Sequence, residues 1–171
     1  NYATLNGFNQ MDDEKLFIEV GKYLDSYTNK AVEKHPGDFL HELPLFYTTL
    51  LQHMLVYHDI IPNKKRSVEE CVMQLFKGKN VAVVGARYGA FLFFARDNGA
   101  KIVGTTGQKY FPDAKKLLGE KAKIYVKNAE DAPEVLKAEN PDMIISFNLF
   151  DANRWKKNNI ALSPSELLEK I

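Results

Sequence analysis

Residues 80–108 read NVAVVGARYGAFLFFARDNGAKIVGTTGQ, and this pattern predicts one βαβ unit. The apolar run 81–84 has the composition of a strand buried on both faces, and a glycine-bearing turn follows it at 85–89. The apolar stretch 90–95 then predicts a helix, and the run 101–103 predicts a second strand. Glycine in the turn allows a ligand to approach the backbone closely, with the N–H groups of the helix pointing at it.

The rest of the chain extends this alternation of strands and helices. Before the unit we expect amphipathic helices over about 12–35 and 44–61, and a helix opened by a capping box at Ser67 and Glu70. After it we expect helices over 112–118 and 132–138, strands over 123–126 and 141–147, a polar loop over 151–159 and a last helix capped by Ser163. The fold class is therefore α/β: a parallel sheet with helices on both faces, preceded by a helical N-terminal segment.

Composition and charge narrow the function classes. A formal net charge of +1 provides no field that would gather nucleic acid or a membrane surface, so neither is an expected partner. No stretch approaches the roughly twenty apolar residues of a membrane span, and no secretory leader is visible, so a cytoplasmic protein is expected. Cys71 is the single cysteine, and it is expected to be buried on the apolar face of its helix. His53 and His58 are five residues apart and do not share a helix face, so no metal site is predicted.

The candidate ligand site follows from the parallel sheet. Ligands of open α/β sheets bind in the crevice at the carboxyl ends of the strands. Four loops should converge there: 85–89, 105–108, 127–131 and 147–151.

The first of these loops carries a family resemblance. Gly85 and Gly89 fit the first and third glycines of a G-x-G-x-G turn, whereas the dinucleotide fingerprint G-x-G-x-x-G would need glycine at 87 and 90. In this turn the chain resembles the class I S-adenosylmethionine-dependent methyltransferases. Residues 101–106, 126–133 and 141–146 are similar, in order and spacing, to the second, third and fourth strands of that family.

The resemblance implies a Rossmann-like sheet of about four strands in the order 3-2-1-4, with S-adenosylmethionine as cofactor. It divides the chain into a helical segment at 1–66, for substrate cover or dimerisation, and a methyltransferase-type domain at 67–171. The cofactor-binding residues that it implies are Gly85, Ala86, Arg87 and Gly89 in the turn, Thr106 at the ribose, and Asn128 with Ala129 at the adenine edge.

The chain departs from the family pattern at several of these positions. The family commonly has an acidic residue within the first strand, where this chain has Val83, and another at the end of the second strand, where it has Thr106. After the third strand the family commonly has aspartate, where this chain has Asn128. Charge-assisted hydrogen bonds are about twice as strong as neutral ones. The departures therefore predict weaker cofactor binding or a different ligand.

Arg87, which replaces the middle glycine, has two opposed interpretations. It could clamp a carboxylate, such as the methionine end of the cofactor, or a phosphate. Alternatively, its side chain could fold over the crevice, pair with an acid such as Asp131 and close the pocket. Tyr88 and Phe91 flank the crevice and could pack on an adenine, although Phe91 fits a core position equally well.

Three functional hypotheses remain open. The first is a methyltransferase of unassigned acceptor, for which no catalytic base is named because methyl transfer needs mainly alignment. The second is a non-catalytic scaffold that forms a homo-oligomer or binds a partner protein through its N-terminal helices or sheet edge. The third is a nucleotide-binding domain with Arg87 on the phosphate.

The predicted sheet also leaves its fourth strand as an apolar edge, which natural proteins avoid. Further chain beyond Ile171, the N-terminal helices or a second subunit could cover this edge.

Overall fold

The computed structural model describes residues 10–35 and 39–146 of the chain. By their contacts these residues form two units, which meet between Lys77 and Gly78. The helix that begins at Val68 belongs to the first unit by this criterion, whereas the sequence division placed it with the sheet. The predicted 147–151 loop, the 151–159 loop and the helix capped by Ser163 lie outside the described residues.

The described residues of the first unit form helices joined by turns, with one isolated β-bridge between Asn63 and Arg66. Its elements are α1 (Gln10–Lys34), a 3-10 turn (Phe39–His41), α2 (Glu42–Phe46), α3 (Thr48–Tyr57) and α4 (Val68–Phe76). The buried side chains of α1 recur every fourth residue, which makes one continuous face of the helix; they are Leu16, Val20, Leu24 and Thr28.

Two features of this unit test the local sequence signals. The capping prediction for α4 is confirmed at Ser67, whose Oγ accepts a hydrogen bond from the Glu70 N–H at 3.1 Å. The single helix predicted over 44–61 is wrong, because α2 ends before Tyr47 and α3 begins after it. The Thr48 hydroxyl donates to the Pro44 carbonyl at 2.9 Å, a local bond of the kind that bends helices.

The second unit is the predicted α/β sheet. Its elements are β1 (Asn80–Val84), α5 (Ala90–Asp97), β2 (Lys101–Thr106), α6 (Phe111–Leu118), β3 (Lys123–Val126), α7 (Ala132–Ala138) and β4 (Met143–Ser146). All strand pairs are parallel and the spatial order is β3-β2-β1-β4, which confirms the order 3-2-1-4. β2 is three residues longer than the run 101–103 that predicted it.

Helices cover both faces of this sheet. On one face Leu136 of α7 belongs to the same buried cluster as Val84 and Val103. On the other face α5 lies so close to β2 that a Cβ on Gly104 would be 2.6 Å from Leu92 Cδ1. The chain winds outward from β1 to β3 and then returns past β1 to β4, and right-handed crossovers place the returning helix on the opposite face.

The strand order reverses between β1 and β4. This is the switch point of the open sheet, where the loops at the carboxyl ends of neighbouring strands diverge and leave a crevice. β4 is the last strand at that side of the described sheet, and its Ile144 is 39% exposed. Among the described residues no helix is long and apolar enough to cross a membrane.

Candidate functional site

The turn between β1 and α5 has a backbone that is left-handed at every second residue. Gly85, Arg87 and Gly89 have φ angles of +70°, +53° and +86°. The Ala86 N–H donates to the Thr105 carbonyl at 2.8 Å, which holds the start of the turn against β2. Left-handed backbone is ordinary for glycine and uncommon for other residues. Glycine therefore suits all three positions, and Arg87 adopts a backbone conformation that its residue type disfavours.

Gly89 is required for packing within the protein. A Cβ at this position would lie 2.9 Å from Leu118 Cδ1 and 3.5 Å from Ala114 Cβ, both on α6. A side chain at 89 would thus require the Leu118 side chain to shift, and φ +86° would also strain its backbone. Its contacts account for this glycine without a ligand.

Thr106 connects the turns that follow the first three strands. Its side chain is only 1% exposed, and its Oγ1 donates to the Arg87 carbonyl at 2.8 Å. Its own carbonyl accepts from the Lys127 N–H at 3.3 Å, in the turn after β3. The hydroxyl that the resemblance assigns to a ribose thus donates inside the protein, where it fixes the conformation of Arg87; the ribose contact itself stays a prediction.

The Arg87 side chain lies beside two tyrosine rings that contact each other. Its Cζ is 5.8 Å from the Tyr88 ring centroid and 5.4 Å from the Tyr110 ring centroid. The two rings are themselves in edge-to-face contact, with centroids 4.7 Å apart. Lys109 brings a second cation to the same place, with Nζ 5.5 Å from the Tyr110 centroid. We call these four residues the Arg87 cluster; it joins the turn after β1 to the turn after β2.

Only half of the Arg87 cluster was visible from the sequence. Arg87 and Tyr88 lie in the glycine turn that drew attention to the site, whereas Lys109 and Tyr110 lie some twenty residues later. The signal that could have found them is their position, since they follow the end of β2 just before α6 begins. Residues at the carboxyl ends of adjacent parallel strands meet at the same sheet edge.

Asn128 and Ala129 lie in the turn after β3 and have different surroundings. The Asn128 side chain is exposed. The backbone carbonyl of Asn128 accepts hydrogen bonds from the N–H groups of Asp131 and Ala132 at 3.0 and 3.1 Å. Ala129 packs against the buried cluster that includes Leu136. Asn128 therefore has a polar side chain available at the carboxyl edge, while Ala129 contributes mainly to the packing under it.

Two clefts lie away from this edge. One of about 770 Å³ is at the amino ends of β1–β3, where Lys123 pairs with Glu139 at 2.8 Å; this hydrogen bond and the opposite charge raise the pKa of Lys123. The other, of about 930 Å³, is in the first unit between α1 and residues 61–69. Burial raises the pKa of the Cys71 thiol, also in the first unit.

The histidines of the first unit have exposed side chains at 41, 53 and 58. Within residues 10–35 and 39–146 no group of three or more histidine, cysteine, aspartate or glutamate side chains is arranged to hold a metal ion. No protein-family model, no curated protein and no solved structure matches the chain.

Proposed function

We propose that the sheet unit binds S-adenosylmethionine at the carboxyl ends of its strands and acts as a methyltransferase, or is a close relative of one, with an unassigned acceptor. The observation that supports this most is the backbone of the first turn. It is left-handed at Gly85, Arg87 and Gly89, between a buried parallel strand and the first turn of a helix. These are the three positions at which the G-x-G-x-G motif has glycine, the residue that adopts left-handed backbone without strain.

In this proposal the chain's own residues bind and orient the cofactor. Gly85 and Ala86 shape the turn, with the N–H groups at the start of α5 directed outward. Asn128 offers a neutral amide to the adenine edge, and the Thr106 hydroxyl, which donates to the Arg87 carbonyl, can still accept a hydrogen bond from a ribose hydroxyl. The bound cofactor would supply the methyl group, and the protein's part would be alignment with the acceptor.

Isothermal titration calorimetry with S-adenosylmethionine and S-adenosylhomocysteine tests this function. We expect saturable binding to the wild type and weaker binding to Gly85→Ala, because a side chain enters the turn. Gly78→Ala is the matched control: Gly78 is also left-handed, with φ +74°, but nothing lies within 4 Å of its added Cβ. Folded wild-type protein that binds neither compound at millimolar concentration would refute the proposal.

A second candidate is a methyltransferase-like scaffold that binds no cofactor. It is favoured by the bond from the Thr106 hydroxyl to the Arg87 carbonyl, because this bond uses the donor that would otherwise meet a ribose. The scaffold hypothesis predicts no binding to wild type, some recovered binding in Arg87→Gly, and stable self-association in sedimentation experiments. Thr106→Asp would not restore cofactor binding as well in this fold. The carboxylate would face the Arg87 carbonyl, and two hydrogen-bond acceptors cannot bond to each other.

A further inference from the structure

We propose that the Arg87 cluster is an anion-binding subsite, in which Arg87, assisted by Lys109, binds the carboxylate or phosphate of the ligand at this sheet edge. The inference deepens the proposed function, on which it rests for the location of the ligand. It assigns a selective role to the residue that departs most from the glycine motif.

The first argument is the backbone conformation of Arg87. Its φ of +53° lies in the left-handed region, where an arginine is strained and a glycine is not. Backbone strain of this kind persists where surrounding contacts impose it and is concentrated at ligand sites. Here a buried hydroxyl imposes it, because Thr106 Oγ1 holds the Arg87 carbonyl at 2.8 Å.

The second argument is the chemistry of the side chains that meet there. Arginine combines stacking on aromatic rings with bidentate pairing to a carboxylate or phosphate. Arg87 Cζ lies 5.4 and 5.8 Å from two tyrosine ring centroids, and the rings limit the positions that the guanidinium can adopt on that side. Lys109 Nζ lies 5.5 Å from the Tyr110 ring centroid, so a second positive charge adds to the potential that attracts an anion to this edge.

The third argument is location. The cluster spans the turns after β1 and β2, which are adjacent parallel strands, at the edge of the sheet where ligands of this architecture bind. An arginine kept there only for stability would not need to discriminate between ligands, so ligand selectivity separates the two roles.

The test compares ligands that carry a carboxylate or a phosphate with counterparts that lack this group. S-adenosylhomocysteine is paired with 5′-methylthioadenosine, which lacks the amino-acid end, and adenosine monophosphate is paired with adenosine. Calorimetry is run on wild type, Arg87→Gly and Arg87→Lys. Glycine suits φ +53° and keeps the fold intact, and lysine retains the charge without the planar fork. Lys101→Ala is the charge-matched control at the opposite end of β2.

We expect Arg87→Gly to weaken binding of the ligand that carries the carboxylate or phosphate by about tenfold to a hundredfold, and Arg87→Lys to weaken it less. Binding of the counterpart that lacks this group should be unchanged in both Arg87 variants. Lys101→Ala should bind all of the ligands as wild type does. A selective loss for S-adenosylhomocysteine identifies a carboxylate as the anion, and a selective loss for adenosine monophosphate identifies a phosphate.

The two proposals fail separately. Equal losses for ligands with and without the carboxylate or phosphate, or tighter binding of S-adenosylhomocysteine by Arg87→Gly, would overturn the anion subsite while leaving cofactor binding in place. If neither S-adenosylmethionine nor S-adenosylhomocysteine binds, thermal shifts with inorganic phosphate test the anion subsite independently of the proposed function. Stabilisation of wild type and not of Arg87→Gly supports it, and equal or absent shifts in both overturn it.

Discussion

Thr105 and Thr106 are adjacent residues at the end of β2 that differ in one hydrogen bond. Each side chain is 1% exposed. Thr106 Oγ1 donates to the Arg87 carbonyl at 2.8 Å, whereas Thr105 Oγ1 is buried with no hydrogen-bond partner among the described residues. Valine has nearly the same shape as threonine and suits a strand equally well. We therefore expect Thr106→Val and Thr105→Val to change the free energy of unfolding in opposite directions.

The magnitudes follow from hydrogen bonding and desolvation. Thr106→Val leaves the Arg87 carbonyl without its donor, which costs about 1–3 kcal/mol. Thr105→Val removes a buried hydroxyl that has no partner, a group whose burial costs about 1–3 kcal/mol, so this variant should be neutral or more stable than wild type. A separation of about 2 kcal/mol between the variants corresponds to about 4–8 °C in Tm for a chain of 171 residues.

Urea unfolding followed by circular dichroism measures both variants, with equal m values as the check that the same transition is observed. Thr106→Val should also change ligand selectivity in the same direction as Arg87→Gly, because the turn loses its anchor. Equal destabilisation by both valines would refute the reasoning, since the hydrogen bond would then not distinguish the two sites.

Three further predictions concern single positions. Gly89→Ala should be less stable than Gly78→Ala by roughly 1–3 kcal/mol, because both adopt left-handed backbone but only the Cβ at 89 overlaps Leu118; chemical denaturation of the pair measures this. Ser67→Ala should cost about 1 kcal/mol in the same assay because α4 loses its N-cap, and an unchanged urea midpoint would contradict the cap's role. Burial raises the pKa of the Cys71 thiol, so the stability that this group contributes is complete below the ordinary thiol pKa and is lost as the pH rises through the raised one. Urea midpoints should then fall more steeply above about pH 8.5, the ordinary thiol pKa, in wild type than in Cys71→Ala, and parallel slopes would contradict this.

Much of the fold was accessible from local sequence signals. The strand at 123–126 and the helix at 132–138 were predicted with their observed bounds. The alternation of strands and helices predicted a parallel sheet, and the family resemblance implied the order with β1 inside. The Ser67 cap was predictable because it depends on a residue three positions away. The break at Tyr47 was missed, since apolar periodicity continues across it and a local hydroxyl bond bends the chain.

Only part of the candidate site could be predicted from the sequence. The glycine turn identified the carboxyl end of β1, and the family pattern pointed to Thr106 and Asn128. The hydrogen bond between Thr106 and Arg87 joins residues nineteen positions apart, and nothing in either residue type indicates that partner. Arg87 also gives no sequence signal of left-handed backbone, because arginine disfavours that conformation and only its surroundings impose it.

Local sequence signals establish which segments become strands and helices and which edge of the sheet carries the loops of the candidate site. Periodicity, caps and glycine positions act over a few residues, so they can be read along the chain. The tertiary structure alone decided that Thr106 holds the turn and that Tyr110 and Lys109 join Arg87. These contacts arise because parallel pairing brings together strand ends that are about twenty residues apart, and their chemistry depends on distances that exist only after the sheet has formed.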